Sequence, residues 1–457
     1  MKKIGDIMNY EGFGIRHIGA SHIQKEIVCQ DSVQYHQDLQ CAAAAVSDGH
    51  GGQPYFRSDR GSAFAVQISC RYITEFLQQH PDFSGEESLQ PLIRQILQEW
   101  YDAVKKDLLA EPFTESELER VTERNLPSYL PFSEKQRTDI PPEEFPHSLF
   151  QAYGATLICM GFCENYGFAL HIGDGKCVAV YPDGRTDEPV PWDENCHLNL
   201  CTSICDTDAE QEFRFYVWKK SEMPVAVFAA SDGIDDSFAE RLHNFYLHVA
   251  IEFISCGLRK GVQEIAKQLP GISERGSQDD VSVCGMIDMF ALQEAKTVIQ
   301  RKAESLQRNA MLSAIAQKLT ELQFRCDKIK RILNACPEEE QEKIKRNEEK
   351  LEMLSSEMEK LLQQKAELEK EEKESELSEP VLEEEPESEV SASALEEEPE
   401  SENSASVPEE EPESEDSASA PEEEPESEDS ASIPEEKPES EVSDSDNKAI
   451  LISEEDW

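Results

Sequence analysis

The run Ala43-Ala44-Ala45-Val46-Ser47-Asp48-Gly49-His50-Gly51-Gly52 constrains this chain more than any other stretch. A short series of small apolar residues reads as a buried strand. Its stop in an Asp followed by four residues, three of them Gly, reads as a strand end opening onto a site. Gly beside Asp lets the backbone approach a ligand, and His is the side chain best able to move protons near neutral pH. Taken alone, Asp-Gly-His-Gly-Gly is equally a plain turn. The pattern recurs, however. Val225-Ala226-Val227-Phe228-Ala229-Ala230-Ser231 ends in Asp232-Gly233-Ile234-Asp235-Asp236, and Asp279-Asp280 opens the run Val281 to Ile287. Three strand ends therefore carry carboxylates.

Around these runs the chain reads as alternating strands and helices. Gly12 to Gly19 and Ile27 to Ser32 form one or two strands with a polar crossing. Ala63, Phe64, Val66, Ile68, Tyr72, Ile73, Phe76 and Leu77 fall at helical spacing until His80-Pro81, and Leu89 to Leu108 repeats the pattern. Residues 111–147 turn polar and proline-dotted, which reads as an inserted surface loop or flap rather than core. From Tyr153 to Pro182 three short apolar runs joined by Glu164-Asn165 and Gly173-Asp174-Gly175 read as an antiparallel meander. Residues 192–222 show no clear period. Helices through Phe238 to Ile251 and Val262 to Leu269 precede the closing strand. The expected fold is α+β, a pair of antiparallel sheets covered by helices, over residues 1–290.

Two further regions follow. Leu312, Ile315, Leu319, Leu322, Cys326, Ile329 and Leu333 step by three and four, an apolar seam that Pro337 breaks and that restarts through Leu351, Leu354, Met358, Leu361 and Leu368. Residues 291–375 thus read as a helical hairpin, or as a coiled coil through which a second copy pairs. Residues 376–457 carry a 13-residue repeat marked by Glu-Glu-Glu-Pro-Glu-Ser-Glu at 383–389, 396–402, 409–415 and 422–428, and read as disordered. The end, Ala449 to Trp457, is a small apolar motif that reads as a docking segment.

Charge narrows the function classes. The net charge is −53, and 33 Asp and Glu against 2 Lys place about −31 of it after residue 375. Nucleic acid is held mostly by Lys and Arg, so it is excluded as the main ligand. Basic proteins and divalent cations remain. The 13 cysteines contain no CxxC pair, and Cys41, Cys70, Cys159, Cys163, Cys177 and Cys284 sit in apolar segments, as buried reduced thiols do. The opening Met1 to Asp6 leads into no apolar segment and no run reaches the roughly 18 residues needed to span a bilayer, so the expectation is a soluble, cytoplasmic protein without a membrane partner.

Carboxylates presented from separate strand ends, without a matching set of His or Cys, suit Mg or Mn rather than Zn. Two such ions about 3.5–4 Å apart would activate a water and clamp a phosphate, which makes phosphate ester hydrolysis the natural reaction. His50, two residues from Asp48, is placed to protonate a leaving alkoxide.

The ordered set Gln30-Asp31, Asp48-Gly49-His50-Gly51-Gly52, Gly154-Ala155-Thr156-Leu157, Ile172-Gly173-Asp174, Ser231-Asp232-Gly233-Ile234-Asp235-Asp236 and Gly276-Ser277-Gln278-Asp279-Asp280 resembles the type 2C metal-dependent Ser/Thr protein phosphatases, in their bacterial-like branch. The resemblance covers about residues 12–288. It implies a β-sandwich flanked by helices in α/β/β/α layers, with a binuclear Mn or Mg centre and a third-metal position. On this footing Asp48 bridges two ions, the Gly49 carbonyl binds one, and Asp232 and Asp279 ligate the other. Asp31 acts at or just outside the metal shell, Asp174 and Asp236 occupy the third-metal positions, and His50 is the general acid. Thr156 matches a small polar position near the site. The implied partners are a phosphoprotein substrate and an opposing Ser/Thr kinase.

Three departures stand out. Gln30 replaces a Glu frequent in the family, and Asp280 stands where Asn is common. The phosphate-binding Arg five residues before the first Asp is replaced by Glu26, leaving Arg16, His22 and Lys25 as candidate cations. The competing class is a weak or inactive phosphatase-like scaffold that binds phosphoproteins and recruits partners through its C-terminal regions.

Overall fold

The computed structural model describes residues 9–83, 89–136, 140–196, 200–337 and 340–377. Residues 1–8, the acidic repeats and the closing motif lie outside them.

Ten strands form among the described residues: β1 Tyr10–His17, β2 Ser32–Gln37, β3 Cys41–Ser47, β4 Leu157–Cys163, β5 Tyr166–Ile172, β6 Lys176–Val180, β7 Thr186–Asp187, β8 Arg214–Lys219, β9 Ala226–Ala230 and β10 Val281–Asp288. They build two five-stranded sheets, in the orders β1-β10-β9-β6-β7 and β2-β3-β4-β5-β8, every pairing antiparallel. Strand β3 shows why the layers stack. All seven of its residues are buried, because side chains alternate between two covered faces. Ala42, Ala44 and Val46 face the other sheet, beside Cys177, Val227, Ala229 and Cys284. Cys41, Ala43 and Ala45 lie under helices. Small residues on both faces let the neighbouring layers close in.

Helices Ser58–Gln79 and Gln90–Ala110 cover one sheet, and Leu242–Cys256 and Leu258–Arg275 cover the other. The apolar stripe expected on the second helix is the one buried: Leu92, Ile93, Ile96, Leu97, Trp100, Val104 and Leu108. Each contributes about 1.5–3 kcal/mol by leaving water. The four layers are helix, sheet, sheet, helix. The six cysteines read as core thiols are buried and free.

The structure corrects two readings. Strands β4 and β5 form a hairpin, but β6 leaves it and pairs with β9 in the opposite sheet, so residues 155–181 are not a meander. The link Gly173-Asp174-Gly175 is short enough for a hairpin yet carries the chain between layers. Gly173 adopts φ +109°, and a side chain on Gly175 would meet the Ala230 carbonyl at 2.4 Å. The segment 111–147 is not merely a surface loop either. Phe113, Tyr129 and Phe132 are buried in the core beneath it. Arg57, itself 3% exposed, holds its start by donating to Glu117 at 2.7 and 2.9 Å and to the Glu111 and Pro112 carbonyls.

Beyond β10, helix Lys296–Ala335 first packs Ile299 and Ala303 into the core with helix Leu242–Cys256. Farther along, its Leu322 and Cys326 pack against Leu354 of helix Gln341–Leu377, flanked by Ile329, Leu351, Met358 and Leu361. The two long helices thus fold back on one another within the chain.

Candidate metal centre and active site

Sequence-distant segments deliver carboxylates to one end of the sandwich. At the end of β3, the Asp48 backbone N–H donates to Thr156 Oγ1 at 3.1 Å, and the Thr156 N–H donates to the Asp48 carbonyl at 2.8 Å. Thr156 is therefore buried and committed to the Asp48 main chain. Gly49 bridges to Ala155, and a Cβ on it would lie 2.7 Å from the carbonyl oxygens of Gln30 and Ser58, so only glycine keeps this backbone in place. Asp232 opens helix Asp232–Phe238 directly after β9, and Ser231 Oγ donates to Asp31 Oδ2 at 2.8 Å. Asp174 sits at the crossing between sheets.

These groups feel one another. Burial, then repulsion by Asp31 and Asp232, pushes the Asp48 carboxyl well above the usual carboxylate range. Burial and the Asp280 charge raise Asp31 to about 7. Asp232 rises to about 6 through burial, against a hydrogen bond shared with Asp48, and repulsion from Asp174, Asp279 and Asp236 adds to the rise. Asp174 is raised by burial, with Asp236 adding to it. A nearby positive charge favours the ionised form of each such carboxylate.

The donor set fits a cation. Asp31 Oδ1 and Asp232 Oδ1 are buried and have no hydrogen-bond partner among the described residues, each a cost of about 1–3 kcal/mol that a hard divalent ion would remove. Anionic oxygens are the ligands Mg and Mn prefer.

The remaining candidates fall around this cluster. The His50 ring packs edge-on to Tyr55, with centroids 4.7 Å apart, and its Nδ1 lies 3.9 Å from Cys201 Sγ. Burial lowers its pKa to about 4, so the ring is neutral at pH 7. Arg16 is exposed and donates to the Asp31 carbonyl and, at 3.4 Å, to Ser32 Oγ. Lys25 is exposed at the end of helix Ala20–Lys25, with no ion pair among the described residues. His22 is buried, with Nδ1 3.0 Å from Asp280 and Nε2 3.6 Å from Asp279. Hydrogen bonding to Asp280 raises its pKa against the pull of burial. Gln30 turns its amide away from the acidic cluster, donating to Ser58 Oγ at 2.5 Å and the His50 carbonyl at 3.1 Å. Sequence reasoning missed Tyr55, Ser58 and Cys201, which no motif marks, and gave no role to Ser231, which opens the Ser231-Asp232-Gly233 motif.

The model of the protein phosphatase 2C family matches residues 18–270, just over half of the chain, and the chain belongs to that family. No curated protein matches it. Solved structures of related fold include PppA of Pseudomonas aeruginosa, at 13% identity and TM-score 0.36, covering 62% of this chain and 99% of that one. The catalytic domain of the serine threonine protein phosphatase PstP, solved with two manganese ions, matches at 13% identity and TM-score 0.33, covering 61% and 97%. A C. elegans sex determining protein matches at 15% identity and TM-score 0.38, covering 63% and 68%. At such identities and TM-scores these likenesses carry nothing about what this chain acts on.

Proposed function

We propose that this chain hydrolyses phosphoserine and phosphothreonine esters in cytoplasmic proteins, opposing a Ser/Thr kinase. The carrying observation is the pair of buried oxygens on Asp31 and Asp232, without a hydrogen-bond partner among the described residues, inside a group of seven aspartates, Asp31, Asp48, Asp174, Asp232, Asp236, Asp279 and Asp280, linked by charge repulsion. Asp48 and the Gly49 carbonyl would hold one Mn or Mg ion, and Asp48, Asp232 and Asp279 a second. Asp31 stands beside them, and Asp174 and Asp236 form a third position. When bound, such ions supply Lewis acidity that activates water and offsets phosphate charge.

The chain's own residues supply the rest. Arg16, exposed and donating to the Asp31 carbonyl, would be the cation that orients the phosphate. His50 is neutral in the free chain. An incoming phosphate dianion would raise its proton affinity, so that the ring takes up a second proton from solvent and passes that proton to the serine or threonine oxygen as its bond to phosphorus breaks.

One observation favours the scaffold reading. Glu26 is exposed at the left-handed end of helix Ala20–Lys25 and puts a negative charge where the family carries its phosphate-binding Arg. Phosphate release from a phosphothreonine peptide separates the two. Release with Mn that stops on adding chelator, and that Asp232→Ala abolishes, supports the enzyme. Equal rates for wild type and Asp232→Ala leave only the scaffold.

A further inference from the structure

The loop before β10 and the segment before β2 are joined by one carboxylate. Asp280 Oδ1 accepts from the Gly19 N–H at 2.6 Å and from His22 Nδ1 at 3.0 Å, and Oδ2 accepts from the N–H groups of Gln30 at 2.6 Å and Asp31 at 3.4 Å. With both oxygens taken up this way, Asp280 serves as a clasp rather than a metal ligand. Its hold is reinforced where Ser21 N–H donates to the Gln278 carbonyl at 2.9 Å and Ala20 N–H to Ser273 Oγ at 3.0 Å.

His22 carries the clasp one step further. Its side chain is 10% exposed, and its second nitrogen faces Asp279 Oδ1 at 3.6 Å, an oxygen that also accepts the Asp280 N–H at 2.8 Å. Asp279 itself is half exposed, so without these contacts its side chain would sample several rotamers. Oδ1 is occupied, and Oδ2 has no protein partner among the described residues. We infer that His22, fixed by Asp280, is a positioning residue that aims Asp279 Oδ2 into the acidic cluster. This rests on the metal-dependent reading of the site. It also removes His22 from the cations that bind substrate, because Nδ1 is hydrogen-bonded to Asp280 and Nε2 faces Asp279.

The pairing explains the departure at position 280. An Asn there offers one acceptor oxygen, whereas this clasp needs four acceptances across two oxygens. Partners outside the ligand shell commonly tune metal affinity by about 10–100-fold.

Two substitutions separate aiming from folding. An Asn side chain places its amide nitrogen near the position of Nδ1, and a Gln near that of Nε2. Mn titrated calorimetrically into the full-length metal-free chain should bind about 10–100-fold more weakly to His22→Asn, with His22→Gln recovering most of the loss. Both variants should melt with the wild type in the absence of metal. An unchanged Mn affinity in His22→Asn overturns the inference, as does equal weakening in both variants accompanied by a fall in melting temperature. If wild type takes up no Mn at all, the metal-dependent reading itself fails, and this inference with it.

Discussion

At the scale of single residues, charge is the governing quantity. Asp31, Asp48 and Asp232 are lifted by burial and by one another, so without a cation this end of the molecule is electrostatically frustrated. Ser231 offsets part of this by donating to one oxygen of Asp31. His50 is tuned the other way, toward the neutral ring. His50→Ala should slow peptide dephosphorylation by about 10²–10⁴-fold, while Mn binding measured by calorimetry stays within a few-fold of wild type. Loss of Mn binding instead would make His50 part of the metal shell.

At the scale of elements, the strands that end in the site were the legible ones. Strands β3, β9 and β10 are short, apolar and stopped or opened by Asp, so both their burial and their ends can be read in one dimension. The pairing of strand β6 was not legible, because Gly173-Asp174-Gly175 has the length of a hairpin turn and nothing local states which sheet receives the next strand. Strand β8 lies at a sheet edge, so Arg214 and Lys219 dilute its apolar alternation. In the segment 111–147 the buried aromatics are spaced without period, and their anchor, Arg57, is far away in sequence. The clasp of His22 on Asp280 spans 258 residues, beyond any local pattern.

One element junction makes a pH prediction. Glu188, after β7, accepts from Lys176 at 2.9 Å and lies 3.3 Å from His243 of helix Leu242–Cys256, tying helix to sheet. Hydrogen bonding from His243, then Lys176, holds its carboxyl down to about 2, against 4.5 when unperturbed. A depressed carboxyl contributes stability that is complete above its unfolded pKa and is lost as pH falls through the folded one. The gap in urea midpoint between wild type and Glu188→Gln should therefore hold from pH 7 to about 4.5 and close toward pH 2. A gap independent of pH would mean the junction is held by packing alone.

At the scale of the whole molecule, the site is assembled from residues 31 to 279, and the long helices start only after β10 has closed the sandwich. No helix among the described residues is long and apolar enough to cross a membrane. Removing residues 376–457 should leave hydrolysis of a small aryl phosphate at the wild-type rate, measured by release of the phenolate. An inactive truncation would give that acidic segment a part in the chemistry.

The account depends on aspartates from both sheets converging on divalent cations. Anomalous diffraction from crystals of the chain grown with Mn tests this most directly. Two peaks flanking Asp48, one of them against Asp232 and Asp279, are the expected result. Peaks confined to His22, Asp279 and Asp280, or no peak beside Asp48, would contradict it.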